Sequence, residues 1–260
     1  MPFTTIKGLR TFYEVHGRGE TIVLLHNGFS CVKMWRDIYP GLVRAGYQVV
    51  MYDRRGYGLS EEGPDFPDFY VSDGFREASV QAMAALMKHL GLDRFHIVGQ
   101  CEGGVVGLDY AIRYPDQVRT LTTASTLCFL TTTLEEFNRA KFPDSFQGLT
   151  PRIQGKYFDW HGPERAEAFF NLCSRYGGEY GRGVFDLRGD LPQVTRPVLV
   201  MYPDRGHFFE VEQGVAFYRG LPRGELAVFP RCGHNIHEHY PEDYARQVLS
   251  FLSRHEGSEA

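Results

Sequence analysis

Apolar positions along this chain fall into two alternating patterns. Short, nearly continuous apolar runs occupy residues 21–25, 47–52, 95–98 and 198–202. Runs this short, rich in Val and Ile and without alternation, predict strands buried on both faces of a parallel sheet, because helices cover both sides. Residues 118–123 and 225–229 are weaker runs of the same kind. Residues 9–15 alternate more and lead into Gly17 and Gly19, which predicts an antiparallel hairpin at the sheet edge. Between the runs, Phe75, Ala78, Ala82, Leu86 and Leu90 recur every three or four residues and make one apolar helix face, which Gly91 terminates. Tyr244, Val248, Phe251 and Leu252 repeat that spacing after Pro241, a residue suited to a first helical turn. Strands that alternate with helices predict an α/β chain built on a mostly parallel sheet.

The rhythm breaks between residues 126 and 196, where no buried strand is legible. Aromatics are dense there, Phe137, Phe142, Phe146, Tyr157, Trp160, Phe169 and Phe170 among them. A structureless loop of that length is improbable, so the segment reads as a mostly helical insertion over one end of the sheet. Some of these aromatics glue the insertion to the body, and others line a pocket.

Composition narrows the class. The chain has 260 residues, 23% charged and 43% hydrophobic, with a net charge of -4. That is soluble globular composition. Neither a membrane-spanning run nor a secretory h-region is visible, and no basic patch invites nucleic acid. Five scattered cysteines without C-x-x-C spacing argue against a disulfide framework or a zinc cage. They fit a reducing, cytoplasmic compartment.

The sharpest chemical signal is Gly99-Gln100-Cys101-Glu102-Gly103. It follows a buried run and opens a helical pattern. A tight strand-to-helix turn forces its central residue into strained backbone, and flanking side chains would clash, hence the glycines. The turn lifts the Cys101 thiol clear of the sheet, and the helix start favours its thiolate. The bland alternative is a buried structural cysteine. Cys31, Cys128, Cys173 and Cys232 lack this context.

A nucleophile needs a base, and the base needs an orienting group. Asp204 and His234 each stand just past a predicted strand, at the edge where open α/β sheets place their sites. Asp204 could equally be a turn residue. His237 and His239 are rivals of His234, but they fall in the lead-in to the last helix. No carboxylate or cysteine completes a ligand set around the three histidines, so no metal or other cofactor is expected. The loop His26-Asn27-Gly28-Phe29, after another run, can turn a backbone N–H toward a developing oxyanion. The N–H of Glu102 would be its companion. The Glu102 side chain either lies exposed at the helix start, the favoured reading, or pairs with a cation.

With these segments in order, the chain resembles the α/β-hydrolase superfamily over nearly its whole length. His26-Asn27-Gly28 resembles its oxyanion loop, Asp53-Arg54-Arg55-Gly56-Tyr57-Gly58-Leu59-Ser60 its D-x-R-G-x-G-x-S turn, 99–103 its nucleophile elbow, and Gly233-His234 its histidine loop. The resemblance implies an eight-stranded, mostly parallel sheet flanked by helices. The core would be 1–125 and 197–260, with a helical cap, 126–196, between the sixth and seventh strands. It implies a cofactor-free triad of Cys101, Asp204 and His234, with oxyanion amides from Gly28 and Glu102 and a purely structural 53–60 turn. Two positions depart from the usual pattern: Asn27 stands in place of glycine, and Cys101 in place of serine. Cysteine resembles the minority exemplified by dienelactone hydrolases and polyhydroxyalkanoate synthases. Haloalkane dehalogenases and epoxide hydrolases, which need aspartate at the elbow, fit poorly.

A thiolate–imidazolium pair at rest is the expectation that cysteine brings, together with a thioester acyl-enzyme. Thiolate leaves more easily than alkoxide, so esters, lactones and thioesters suit the site and amides do not. The expected partner is a small, hydrophobic or aromatic acyl substrate, with Asn27, Phe29, Tyr157 and Trp160 as candidate pocket residues. Acyl transfer through the same intermediate is one alternative. A non-catalytic binding protein on the same scaffold is another, which Asp204 and His234 argue against.

Overall fold

The computed structural model of the chain describes residues 3–176, 184–206 and 211–255. In chain order the elements are β1 (Phe3–Ile6), β2 (Leu9–His16), β3 (Thr21–Leu25), α1 (Tyr39–Arg44), β4 (Gln48–Tyr52), α2 (Phe66–Tyr70) and α3 (Phe75–His89). Next come β5 (Phe95–Gln100), α4 (Glu102–Arg113), β6 (Val118–Ala124), β7 (Phe129–Thr133), α5 (Leu134–Lys141), α6 (Pro151–His161) and α7 (Ala166–Tyr176). The chain closes with β8 (Val184–Asp186), β9 (Val198–Pro203), α8 (Val211–Gly220), β10 (Gly224–Phe229), α9 (Ile236–His239) and α10 (Pro241–Arg254).

Eight strands form one sheet in the order β1-β2-β4-β3-β5-β6-β9-β10. The β1–β2 hairpin and the β2–β4 pair are antiparallel, and every later pair is parallel. The unbroken apolar runs have a plain cause in β3. Ile22 and Leu24 face one side, against Trp35, Leu42, Val248 and Phe251. Val23 and Leu25 face the other, against Met83, Leu86, Val105 and Leu108. All four β3 side chains are buried, so both phases of the strand must be apolar. No helix among the described residues is long and apolar enough to cross a membrane.

The chain between β6 and β9 is mostly helical, as its composition predicts, but it also holds a ribbon. Strands β7 and β8 pair antiparallel in a sheet of their own. The sequence hides it because β7 (Phe-Leu-Thr-Thr-Thr) has no buried residue, and β8 buries only Phe185. An aromatic cluster joins this insertion to the body: Tyr57, Phe66, Tyr70 and Phe75 meet Phe146, Tyr157, Phe169 and Phe170.

Parallel registers align the strand ends. Leu25 lies beside Gly99, and Gln100 beside Ala124. The Cys101 N–H donates to the Ala124 carbonyl (2.8 Å), the Ser125 N–H to Met201 (2.9 Å), and the Asp204 N–H to Phe229 (3.0 Å). The residues that follow β3, β5, β6, β9 and β10 are therefore gathered along one edge.

Candidate active site

Cys101 connects β5 to α4 with φ 54° and ψ -117°, a left-sided conformation that a non-glycine residue adopts only under strain. The glycines around it are there for close approach. A Cβ on Gly99 would collide with the backbone of Gly103 and Gly104, and one on Gly103 with the carbonyls of Leu25 and His26. The helix start is thus pressed onto the ends of β3 and β5, and the thiol projects over the sheet edge.

His234 reaches the same edge through its backbone. Its carbonyl accepts from Gln100 Nε2 (3.0 Å) and Ser125 Oγ (2.8 Å), the residues that end β5 and follow β6. Of its rivals, His237 is buried with its ring near Trp35 (6.2 Å), and His239 Nδ1 bonds to the Asn235 carbonyl (2.9 Å). Asp204 is joined to the loop that carries His234, and its Oδ2 also lies 3.6 Å from Arg205 Nε. Its Oδ1 accepts from the Cys232 N–H (3.3 Å). The Arg231 N–H, with that of Cys232 and the charge of Arg205, holds the carboxyl below its ordinary range.

Gly28 and Glu102 line the same cavity as Cys101. In the loop after β3, Asn27 Oδ1 accepts the N–H groups of Phe29 and Ser30 (both 2.9 Å). This closes the turn and leaves the intervening Gly28 N–H without an acceptor among the described residues. Asparagine at position 27 therefore builds the loop from its side chain, where glycine would build it from backbone freedom alone. The Glu102 N–H works against burial by favouring the Cys101 thiolate.

The Glu102 side chain corrects the sequence reading. It is not exposed: it forms a buried ion pair with Arg54, and the Tyr57 hydroxyl donates to the same Oε1 (3.1 Å). Arg54 Nη2 also donates to the carbonyls of His26 (3.3 Å) and Asn27 (3.0 Å). Burial by itself would lower the guanidinium pKa, yet Glu102 beside it carries it above the ordinary value. The 53–60 turn thus holds neighbouring segments together: Asp53 accepts from the Val32 and Leu59 N–H groups (2.8 Å each), and Arg54 ties the His26–Asn27 loop to α4.

A cavity of about 80 Å³ opens over the thiol. Its walls include Gly28, Phe29, Cys101, Glu102, Val105, Leu127, Phe137, Asn138, Lys141 and Phe142. Phe29 is the one expected pocket residue on this wall. Asn27 is turned into its own loop. Tyr157 and Trp160 pack on each other (5.7 Å), and Tyr157 also packs on His161 and Phe170 within the insertion and belongs to the cluster that joins it to the body. Sequence reasoning missed Lys141, although its spacing from Leu134, Phe137 and Asn138 is that of one helix face.

Protonation at rest also differs from expectation. Burial raises the Cys101 thiol above its ordinary range, against the lowering influence of Lys141, and the nearby Glu102 charge raises it further. Burial, Lys141 and His237 together push the His234 imidazole well below its ordinary range. The resting pair is therefore a neutral thiol and a neutral imidazole. Desolvation outweighs the helix dipole here.

Comparison with known proteins adds the following. Residues 20–154 match the family model described as the alpha/beta hydrolase fold. The chain is 31% identical over 280 residues to a fluoroacetate dehalogenase of Burkholderia sp, covering 92% of this chain and 89% of that one. It is 25% identical over 287 residues to a 2-hydroxy-6-oxo-6-phenylhexa-2,4-dienoate hydrolase of Burkholderia cepacia, covering 96% of each. Among solved structures, a meta-cleavage product hydrolase from Pseudomonas fluorescens superposes with a TM-score of 0.80 at 18% identity over 97% of each chain.

Proposed function

The chain is a hydrolase of the alpha/beta hydrolase fold family, and from that premise we propose that it cleaves carboxylic esters, lactones or thioesters with Cys101 as nucleophile. The observation that carries this reading is Cys101 at a strained elbow beside a histidine loop anchored to Gln100 and Ser125.

His234, neutral at rest, takes the thiol proton as sulfur attacks the carbonyl carbon. A C–S bond forms, and the carbonyl π electrons move to oxygen, where the Gly28 and Glu102 N–H groups receive them. Collapse expels the alcohol or thiol, which takes its proton from the His234 imidazolium and leaves a thioester. Water then gives a proton to His234 and attacks the thioester; the departing sulfur recovers that proton. Asp204 fixes the loop that presents the imidazole. The insertion between β6 and β9 caps the site.

The dehalogenase relative does not carry its reaction to this chain. An aspartate nucleophile suits displacement of halide, and position 101 supplies sulfur. The dienoate hydrolase relative is compatible with an activated carbonyl as the point of attack.

Alkylation tests the assignment. Cys31, Cys128 and Cys232 are buried away from the cavity; Cys101 and Cys173 both line it, but Cys173 is fully buried and Cys101 is not. Iodoacetamide is expected to label Cys101 first, with esterase activity lost in step. Because burial raises the thiol, the labelling rate is expected to climb from pH 7 through pH 9 without a plateau. Equal labelling of all five cysteines, or a rate already flat at pH 7, would contradict the account.

A further inference from the structure

His161 ends helix α6 of the insertion, yet both of its ring nitrogens engage the backbone of the body. The Gly58 N–H donates to Nδ1 (3.1 Å), and Nε2 lies 3.0 Å from the Phe29 carbonyl. A nitrogen that accepts carries no proton, so the ring proton sits on Nε2 and is donated to Phe29. The side chain is buried, and burial lowers its pKa to about 4, with Arg165 and Lys33 acting the same way and the Phe29 carbonyl opposing them. The ring stacks on Phe169 (3.9 Å) and meets Tyr57 edge-on (6.4 Å).

These bonds complete the frame around the Gly28 N–H. That N–H shares its peptide plane with the Asn27 carbonyl, which Arg54 Nη2 (3.0 Å) and His26 Nδ1 (2.8 Å) hold from the body. Asn27 Oδ1 takes the N–H groups of Phe29 and Ser30. The Phe29 carbonyl comes next along the loop, and its partner belongs to the insertion. Gly58, the other partner of His161, lies in the turn that supplies Arg54, and Arg165 Nη1 also donates to its carbonyl (3.3 Å). Packing alone would be served by any flat apolar ring at position 161. A histidine adds an acceptor for one loop and a donor for another, and it fixes the two loops to each other.

We propose that His161 is a positioning residue for ester cleavage: by docking α6 onto Phe29 and Gly58, it holds the Gly28 N–H where charge develops on the carbonyl oxygen. This rests on the reading of Cys101 as nucleophile and Gly28 as oxyanion donor. The oxyanion site is then complete only with the insertion seated on the body.

Two variants separate positioning from packing. His161→Phe keeps a ring on Phe169 and deletes both hydrogen bonds, whereas His161→Gln gives up the ring and keeps one acceptor and one donor. With 4-nitrophenyl butyrate, His161→Phe is expected to lower kcat by on the order of tenfold, the effect of a misplaced oxyanion donor. Its KM should stay within about threefold of wild type, because the lost interaction belongs to the transition state. His161→Gln should recover most of kcat. The inhibitor 1,1,1-trifluoro-2-hexanone reads the same site without turnover: sulfur adds to its carbonyl carbon, the thiol proton passes to His234, and the oxygen keeps the negative charge. Its binding should weaken in His161→Phe by about the factor lost from kcat, and should be restored in His161→Gln. Assays run below each variant's melting temperature keep loss of fold out of the comparison. A His161→Phe protein as active as wild type, or a glutamine variant no better than the phenylalanine one, would overturn the proposal. So would a KM that rises with no change in kcat. Nitrogen NMR of the wild-type ring at pH 7 needs no variant, and a proton on Nδ1 would also overturn it. Wild-type turnover that does not depend on Cys101 would sink the hydrolase reading and this proposal together, whereas Cys101-dependent turnover unchanged in His161→Phe would sink the proposal alone.

Discussion

Cys101→Ala is expected to lower kcat/KM for activated esters such as 4-nitrophenyl butyrate by at least about a thousandfold, leaving a residue of activity from the oxyanion amides and binding alone. Stability should hardly change. Alanine carries the same Cβ as cysteine, so the strain at φ 54° is common to both proteins, and the residue as a whole is only partly buried. A melting temperature within a few degrees of wild type would separate lost chemistry from lost fold. Cys101→Ser should retain measurable ester hydrolysis, because a His234 that rests neutral is already a competent base for a hydroxyl. An alanine variant within about twofold of wild type would end the assignment.

Arg54→Met is expected to be the most destabilising single change at the site. The Arg54 and Glu102 side chains are 4% and 10% exposed. Removing the guanidinium strands a carboxylate away from water, which costs about 3–5 kcal/mol. It also frees the His26 and Asn27 carbonyls, so the Gly28 loop loses its tie to α4 and kcat should fall by on the order of tenfold or more. The double variant Arg54→Met with Glu102→Met should recover much of the stability, since no charge is then stranded, but not the activity. Urea midpoints and steady-state kinetics on the three variants measure both effects. Arg54→Met within about 1 kcal/mol of wild type, or a double variant as unstable as the sum of the singles, would contradict the account.

These two residues mark what the sequence makes legible. The elbow at Cys101 is a local pattern: glycines at fixed offsets between a buried run and a helix, each enforced by contacts a few residues away. The sheet is legible for the same reason, since both phases of strands such as β3 must be apolar. The Arg54–Glu102 pair joins positions 48 apart. Nothing near either residue marks the other, so an acidic helix start looks solvent-exposed. Aromatic density in the insertion shows that something is packed there without showing where. Tyr157 serves the joint with the body, Trp160 packs on Tyr157 within the insertion, and the cavity instead takes Phe137, Asn138 and Lys141 from α5. Burial itself is invisible in sequence, which is why a helix N-terminus and a histidine lead to a resting thiolate on paper while desolvation keeps both groups neutral.

The ribbon of β7 and β8 illustrates a further limit. Its strands are short, partly exposed and far apart in the chain, so they lack the apolar signature that reveals the main sheet. Yet β7 ends at Thr133, the N-cap of α5, and so helps set where that helix begins above the thiol.

The claim at the centre of the account is a covalent bond to one sulfur atom. Mixing the wild-type protein with excess 4-nitrophenyl butyrate and quenching in acid during turnover gives a direct reading by intact mass and peptide mapping. The account predicts one butyryl group per chain, located on Cys101 and released by hydroxylamine. Butyryl found on another side chain, or ester turnover by the wild-type protein that persists with Cys101 quantitatively alkylated, would contradict it.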